Sequence, residues 1–318
     1  MYYHHIRTQI KNSARKMDVY NKVKPILFDV SLRDGIQKAD PQKYNTQKKE
    51  DILHDILFEQ RPNKIEVGSL ASTKVFPIMW DSLKMYDYTR EVHRPYYTNQ
   101  KSPFIPPNLD IYLLVPSLAK MATAVEHRVS NISFITSISD PFQRKNTKKT
   151  IRETKAEFDA IFALLRDQDY YRSMNRKLYI SCITECPLSG KYDIPYITQE
   201  ICEYHEKYDF TELCLSDTCG TLSLGEFAQI LDSCVIQRNV PLSKISLHLH
   251  IPRNSEEQEM SKQVVKYALT IGINRFDVSL LEEGGCSVTM QSDQLVSNMS
   301  YGFFYDCLYE YLEEQTNT

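Results

Sequence analysis

Glycine is scarce in this chain, nine in 318 residues, well under the usual frequency of about 7%. Those present are therefore informative about location. Gly35, Gly68, Gly190, Gly220, Gly284 and Gly285 each lie just beyond a strand-like segment, where turns, and close approach of backbone to a ligand, need permissive angles. Long apolar runs are also missing. No stretch approaches the roughly 18 residues of a membrane span, and the N-terminus lacks the apolar core of a secretory signal, so a soluble protein in a reducing compartment is expected, cytoplasmic first with mitochondrial as the alternative. Acidic residues are absent from positions 1 to 17, which carry Arg7, Lys11, Arg15 and Lys16; residues 1–24 are read as a disordered or loosely docked extension. Excess positive charge is lacking too: a net charge of -3 and a pI near 6.3 give no reason to expect a nucleic-acid partner. The eight cysteines form no regular framework, which favours free thiols. Cys182 and Cys186 have zinc-ligand character but lack a second pair at similar spacing.

What is present is an alternation. Short β-rich runs occur at Ile26–Val30, Lys64–Val67, Ile111–Val115, Ile132–Thr136, Leu178–Ile183, Glu212–Leu215, Ile245–His250 and Phe276–Leu280. A plausible helix fills each interval. In Thr46–Phe58 the apolar residues Ile52, Leu53, Ile56 and Leu57 fall at helical spacing, and Phe158, Ile161, Phe162 and Leu165 repeat the pattern in Ile151–Leu165. Ser223 with Glu226 and Ser255 with Gln258 fit capping boxes, Gly272 is placed to end the second of these helices, and a final helix is expected near Asp293–Glu313. Eight strands each followed by a helix favour a closed (β/α)8 TIM barrel over residues 25–318. The Tyr- and Pro-rich stretch Tyr86–Asn108, between the second and third strands, is read as an inserted loop.

In such a barrel, charged catalytic groups sit at the C-terminal ends of strands. The run ILFDVSLRDGIQ, Ile26 to Gln37, delivers Arg33, Asp34 and Gly35 to that place. His248 and His250 alternate along a strand, so both face one side while Leu247 and Leu249 face the other. Two imidazoles with the Asp34 carboxylate suit a divalent ion such as Mg or Mn, with Zn allowed. In Gln143–Arg152, Arg144, Lys145, Lys148 and Lys149 gather at a predicted helix N-terminus. Positive charge there opposes the helix dipole, a conflict that a solvated face or a bound anion would relieve.

The ordered set LRDGIQ, IEVGS, SCITECPLSG, LSDTCG, HLH and GGC resembles 3-hydroxy-3-methylglutaryl-CoA lyase, within the metal-dependent lyase and synthase barrel superfamily, over about Ile26 to Leu295. The resemblance implies cleavage of a 3-hydroxyacyl-CoA, with 3-hydroxy-3-methylglutaryl-CoA giving acetyl-CoA and acetoacetate. By the same resemblance Asp34, His248 and His250 match metal ligands, Arg33 the residue that stabilises enolate charge, and Cys286 the catalytic cysteine of a mobile loop. Gln37, Glu66 and Asp217 match supporting positions, and the segment with Arg144, Lys145 and Asn146 approaches CoA. An acyl-CoA substrate is the expected partner, and a homodimer is compatible with the family. The family's fourth metal ligand is an Asn in a Gly-Asn-Leu setting after the cysteine loop. This chain offers Asp293-Gln294-Leu295 with one residue fewer, which makes Gln294 the candidate. Further departures are Ile251-Pro252-Arg253 after the second histidine, Glu282-Glu283 for Gly-Leu, and Ser287 for Pro. Two other readings stay open: a condensing acyl-CoA synthase of the superfamily, and a degenerate barrel that binds metal or CoA as an interaction protein. The 38 residues after Leu280 leave little room for the C-terminal region common in the synthases.

Overall fold

Period-two alternation along short strands gives this sheet one face for the surrounding helices and one for a polar interior. The computed structural model describes residues 2–97, 104–281 and 296–317. Its barrel strands are β1 (Ile26–Asp29), β2 (Lys64–Ser69), β3 (Asp110–Leu114), β4 (Asn131–Ser137), β5 (Asn175–Ser181), β6 (Glu212–Asp217), β7 (Ile245–Ile251) and β8 (Arg275–Val278). Each pairs in parallel with the next, and β8 returns to β1 with Ile26 opposite Arg275 and Asp29 opposite Val278. This is the expected (β/α)8 barrel.

Alternate residues face opposite sides of a strand, and here the two sides differ in chemistry. Leu27, Ile65, Val67, Ile111, Ile132, Leu178, Leu213, Leu247 and Phe276 join one core shared with the surrounding helices. Burying each such side chain contributes roughly 1.5–3 kcal/mol. On the inner side, Phe28, Val30 and Tyr112 form one small apolar cluster, and Leu114, Tyr179 and Cys214 another. Other inward positions carry Lys64, Glu66, Lys177, Glu212, His248, His250 and Asp277, all buried. An interior this polar departs from the branched aliphatic filling usual in such barrels.

The helices Thr46–Asp55, Ser82–Val92, Leu118–Glu126, Ile151–Arg166, Ile194–Lys207, Leu224–Leu231 and Ser255–Ile271 fill the intervals between strands, and Tyr301–Asn317 follows β8. The Ser223/Glu226 capping box forms, and Gly272 ends its helix in the left-handed region. The cap of Ser255–Ile271 is Asn254, one residue before the expected serine, because the Asn254 side chain accepts from the Glu257 amide.

Several expectations are corrected. The stretch read as an inserted loop begins inside the helix Ser82–Val92, whose Met85, Tyr86 and Thr89 are buried at helical spacing. The final helix starts at Tyr301, not near Asp293. The N-terminal extension is two helices, Tyr2–Lys11 and Ala14–Val23, and Ile6, Ile10 and Tyr20 are buried in the main core. Arg7 fixes it by donating to Tyr305 OH and to the carbonyls of Glu59 and Gln60.

Candidate metal centre and active site

The chain leaves β1 through one wide turn. The amides of Arg33, Asp34 and Gly35 all donate to the Val30 carbonyl, at 3.2, 2.8 and 3.0 Å, and the last of these is an i to i−5 bond, the π-type widening common at functional sites. The widened turn brings Arg33 and Asp34 to a cavity at the C-terminal mouth of the barrel. A Cβ on Gly35 would stand 2.9 Å from Ser279 Oγ, so a side chain there would push the turn off β8. The cavity, about 410 Å³, is lined at its base by Arg33, Asp34, Gln37, His248 and His250. Val75, Phe76, Met79, Leu114 and Ile135 form apolar walls, and Lys120, Lys145, Lys148 and Lys149 edge it.

Asp34 uses one oxygen to hold position and leaves the other open. Its Oδ1 accepts from Arg33 Nη1 at 2.6 Å and from Gln37 Nε2 at 2.8 Å. Its Oδ2 is buried without a hydrogen-bond partner, 3.8 Å from His248 Nε2 and 3.9 Å from His250 Nε2. Those separations exceed hydrogen-bond reach and suit donors that share one ion at about 2.1 Å each. Burial alone would raise the Asp34 carboxyl, but the Arg33 guanidinium and the two imidazoles hold it well below the usual carboxylate range.

Both histidines are oriented from behind. His250 Nδ1 donates to the Asp217 carbonyl at 2.9 Å, and His248 Nδ1 lies 3.2 Å from Asp277 Oδ2. A proton on Nδ1 leaves the Nε2 lone pair facing Asp34. Burial, foremost among its causes, lowers the His248 pKa, which favours the neutral ligand form. The ligand atoms of Asp34, His248 and His250 all lie within 4.8 Å of one another, and among the described residues this is the one such group of His, Cys, Asp and Glu side chains. The Cys182 and Cys186 pair gathers no further donors of that kind; Cys186 Sγ accepts from Ser139 Oγ and the Leu188 amide instead. The orphaned Oδ2 and Nε2 atoms and the mixed donor set therefore fit a divalent ion.

Arg33 is fully framed. Its Nε donates to Glu66 Oε2 and its guanidinium carbon lies 4.8 Å from the Tyr179 ring centre. Glu66 also accepts from Ser133 Oγ and, at 3.2 Å, from Tyr179 OH. Glu66 thus sits behind Arg33 and does not line the cavity.

Other sequence-derived candidates fall elsewhere. Asp217 follows inward-facing Ser216 and so points out of the barrel, where its carboxylate accepts from the Thr221 and Leu222 amides; only its carbonyl serves the site. Gly220, at φ +70°, closes that loop, and a Cβ there would stand 2.9 Å from the His250 carbonyl. Arg144 and Lys145 belong to the last turn of the helix Asp140–Thr147, not to a helix start. There a cation favours the dipole, so the expected conflict is absent for these two, whereas Lys148 and Lys149 do directly precede Thr150, the N-cap of the helix Ile151–Arg166. Arg144 pairs with Asp140 at 2.5 Å, away from the cavity, whereas Lys145 and Asn146 line it. Cys286 and Gln294 lie outside the described residues.

One residue was missed. Ser297–Asn298 forms a short antiparallel strand on β7 with Asn298 opposite His250, and cross-strand partners share a face. Asn298 is buried, and neither Oδ1 nor Nδ2 has a hydrogen-bond partner. The signal was legible as Ser297-Asn298-Met299 just before the last helix, a closer counterpart of Gly-Asn-Leu than Asp293-Gln294-Leu295.

Residues 24–299 match the family described as HMGL-like. The mitochondrial hydroxymethylglutaryl-CoA lyase of Macaca fascicularis is 25% identical over 274 residues, 86% of this chain and 75% of the relative. A Pseudomonas aeruginosa 3-hydroxy-3-isohexenylglutaryl-CoA/hydroxy-methylglutaryl-CoA lyase is 24% identical over 273 residues, 85% and 80% of the two chains. Among solved structures, the HMG-CoA lyase of Brucella melitensis superposes with a TM-score of 0.71 at 19% identity, covering 90% of each chain. That of Acinetobacter baumannii, in complex with coenzyme A and 3-methylmalate, gives 0.71 at 20% identity, covering 92% of this chain and 90% of that one. At these identities the superpositions establish the fold.

Proposed function

The chain belongs to the HMGL-like family, and from that premise we propose that it is a divalent-metal-dependent carbon–carbon lyase acting on a 3-hydroxyacyl-CoA. The leading substrate is 3-hydroxy-3-methylglutaryl-CoA, split to acetyl-CoA and acetoacetate. The observation that carries the reading is the convergence of Asp34 Oδ2, His248 Nε2 and His250 Nε2, two of them orphaned, beside a framed arginine. We assign the fourth ligand to Asn298 Oδ1 in place of Gln294.

A divalent ion held there would supply Lewis acidity toward the substrate hydroxyl and carboxylate oxygens. Arg33, aimed by Glu66 and Asp34, offsets negative charge on the thioester oxygen as the carbon–carbon bond breaks, a role that costs no reorganisation because the guanidinium is already fixed. Cys286 is assigned the proton delivery that converts the enolate to acetyl-CoA. Lys145, Lys148 and Lys149 at the cavity edge suit the CoA phosphates, and the apolar walls suit its pantetheine arm. Among the described residues no helix is long and apolar enough to cross a membrane; the seven described cysteines are free, which suits a reducing compartment.

The test is a substrate panel with the purified full chain loaded with Mn²⁺ or Mg²⁺. Acetyl-CoA release from 3-hydroxy-3-methylglutaryl-CoA or from a close 3-alkyl analogue is expected. Condensation of acetyl-CoA with a 2-oxo acid, with no cleavage, would make the protein a synthase. Metal binding with neither reaction would make it a non-catalytic binder.

A further inference from the structure

The two histidines are not held alike. His250 Nδ1 meets a neutral carbonyl, Asp217 O, at 2.9 Å, whereas His248 Nδ1 meets a carboxylate, Asp277 Oδ2, at 3.2 Å. The other Asp277 oxygen accepts from Lys177 Nζ. Lys177 lies 3.1 Å from Glu212 Oε1, and Glu212 Oε2 accepts from Lys64 at 2.7 Å and Arg275 at 3.2 Å. Charge alternates along this chain from the mouth of the barrel to its floor. Lys177 Nζ also lies 3.7 Å from the Phe28 ring centre, so it is enclosed on its remaining side. Neither Asp277 nor Lys177 lines the cavity, and both are buried.

Buried ion chains often stabilise no better than apolar filling of the same volume, so a lysine and an aspartate in the middle of a barrel call for a role beyond packing. The direction of the Asp277 carboxylate supplies one. We propose that Asp277 and Lys177 are positioning residues for the metal ligand His248, an inference that rests on the metal reading above. Asp277 fixes the imidazole proton on Nδ1, so that Nε2 presents its lone pair to the ion, and its charge makes the ring a stronger donor. Lys177 clamps the second oxygen of Asp277 and keeps the first one turned toward the ring. His248 is then the stronger imidazole donor of the pair, and His250, backed by a carbonyl, the weaker.

The test combines ¹⁵N-imidazole NMR on the metal-free full chain with calorimetric titration of Mn²⁺ alone. In the wild type, His248 is expected to carry its proton on Nδ1. Asp277→Asn should weaken Mn²⁺ binding about 10- to 100-fold and place part of the His248 population in the Nε2–H tautomer, because an amide nitrogen turned toward the ring donates to Nδ1. Lys177→Met should weaken binding by a smaller factor, and a merely structural role would lower the unfolding midpoint without moving the tautomer. The wild-type spectrum keeps the inference falsifiable even where a variant does not fold, since a proton on Nε2 of His248 would overturn it outright. Tight Mn²⁺ binding by the wild type with affinity unchanged in Asp277→Asn would overturn the inference alone. No Mn²⁺ binding by the wild type would instead overturn the metal reading.

Discussion

The two ends of the barrel interior use similar residues to opposite ends. At the floor, Lys64, Arg275 and Lys177 converge on Glu212, at 2.7, 3.2 and 3.1 Å, so the buried carboxylate meets three cations. At the mouth, Asp34 Oδ2, His250 Nε2 and both amide atoms of Asn298 are buried with no hydrogen-bond partner. Leaving a buried polar atom unmet costs about 1–3 kcal/mol. The floor is not fully met either, since Arg275 Nε has no hydrogen-bond partner; the difference is that the open atom there belongs to a cation, whereas the mouth groups a carboxylate oxygen, an imidazole nitrogen and an amide, donor types that suit a bound ion.

The largest expected effect breaks the floor. Glu212→Ala leaves buried Lys64 and partly exposed Arg275 without their carboxylate and Lys177 with Asp277 alone, and removing one partner of such a buried network costs about 3–5 kcal/mol, to be read by urea unfolding. His250→Ala at the mouth, in metal-free buffer, should cost about 1 kcal/mol, the worth of its single bond to the Asp217 carbonyl. Equal losses would erase the contrast. Next in size, Arg33→Met should lower turnover of the cleaved acyl-CoA by about 10²–10³, the scale of losing a fixed donor to a developing oxyanion, as measured under saturating metal. Unchanged turnover would remove Arg33 from the chemistry.

Asp29 sharpens the comparison by pH. It lies on the outer face of β1, where it accepts from the Ser31 amide at 2.9 Å and from Tyr301 OH at 2.8 Å. Burial, the largest cause, raises its pKa from 3.8 to about 6 in the folded protein. With the folded value above the unfolded one, its protonated form contributes stability that is fully present below about pH 4 and is lost as pH rises through about 6. A shift of that size is worth up to roughly 3 kcal/mol. Asp29→Asn should flatten this part of the pH dependence of unfolding, and a retained slope between pH 4 and 6 would assign it to another group. The smallest effect separates two amides: Asn298→Ala should weaken Mn²⁺ binding about tenfold, on the order of 1.4 kcal/mol, while Gln294→Ala leaves it unchanged. The reverse result would restore Gln294 as the ligand.

The barrel was legible because each strand's outer residues, such as Leu247 and Leu249, and inner ones, such as His248 and His250, alternate within a few residues. The same local rule located Asp34 and Arg33 at a strand end. Where the sequence misled, the deciding contact was remote or set by one residue of phase. Asp217 is one step out of phase with Ser216, and parity sends its carboxylate away from the cavity. The break between the helices Asp140–Thr147 and Ile151–Arg166 falls at Lys148, which takes φ 64° without being glycine, so nothing in the composition marked it. The N-terminal helices are held by Tyr305, 298 residues from Arg7, a distance no local pattern spans. Asn298 was overlooked because counting from Cys286 assumed a loop of nearly fixed length, whereas pairing with His250 is what sets its position.

The central claim, that the open atoms at the mouth await a divalent ion, is tested most directly by counting Mn²⁺ bound at equilibrium, from the electron paramagnetic resonance signal of the free ion. The wild-type chain should bind one ion, and His248→Ala with His250→Ala should abolish that binding while the barrel stays folded. Wild-type affinity retained in the folded double variant would contradict the account.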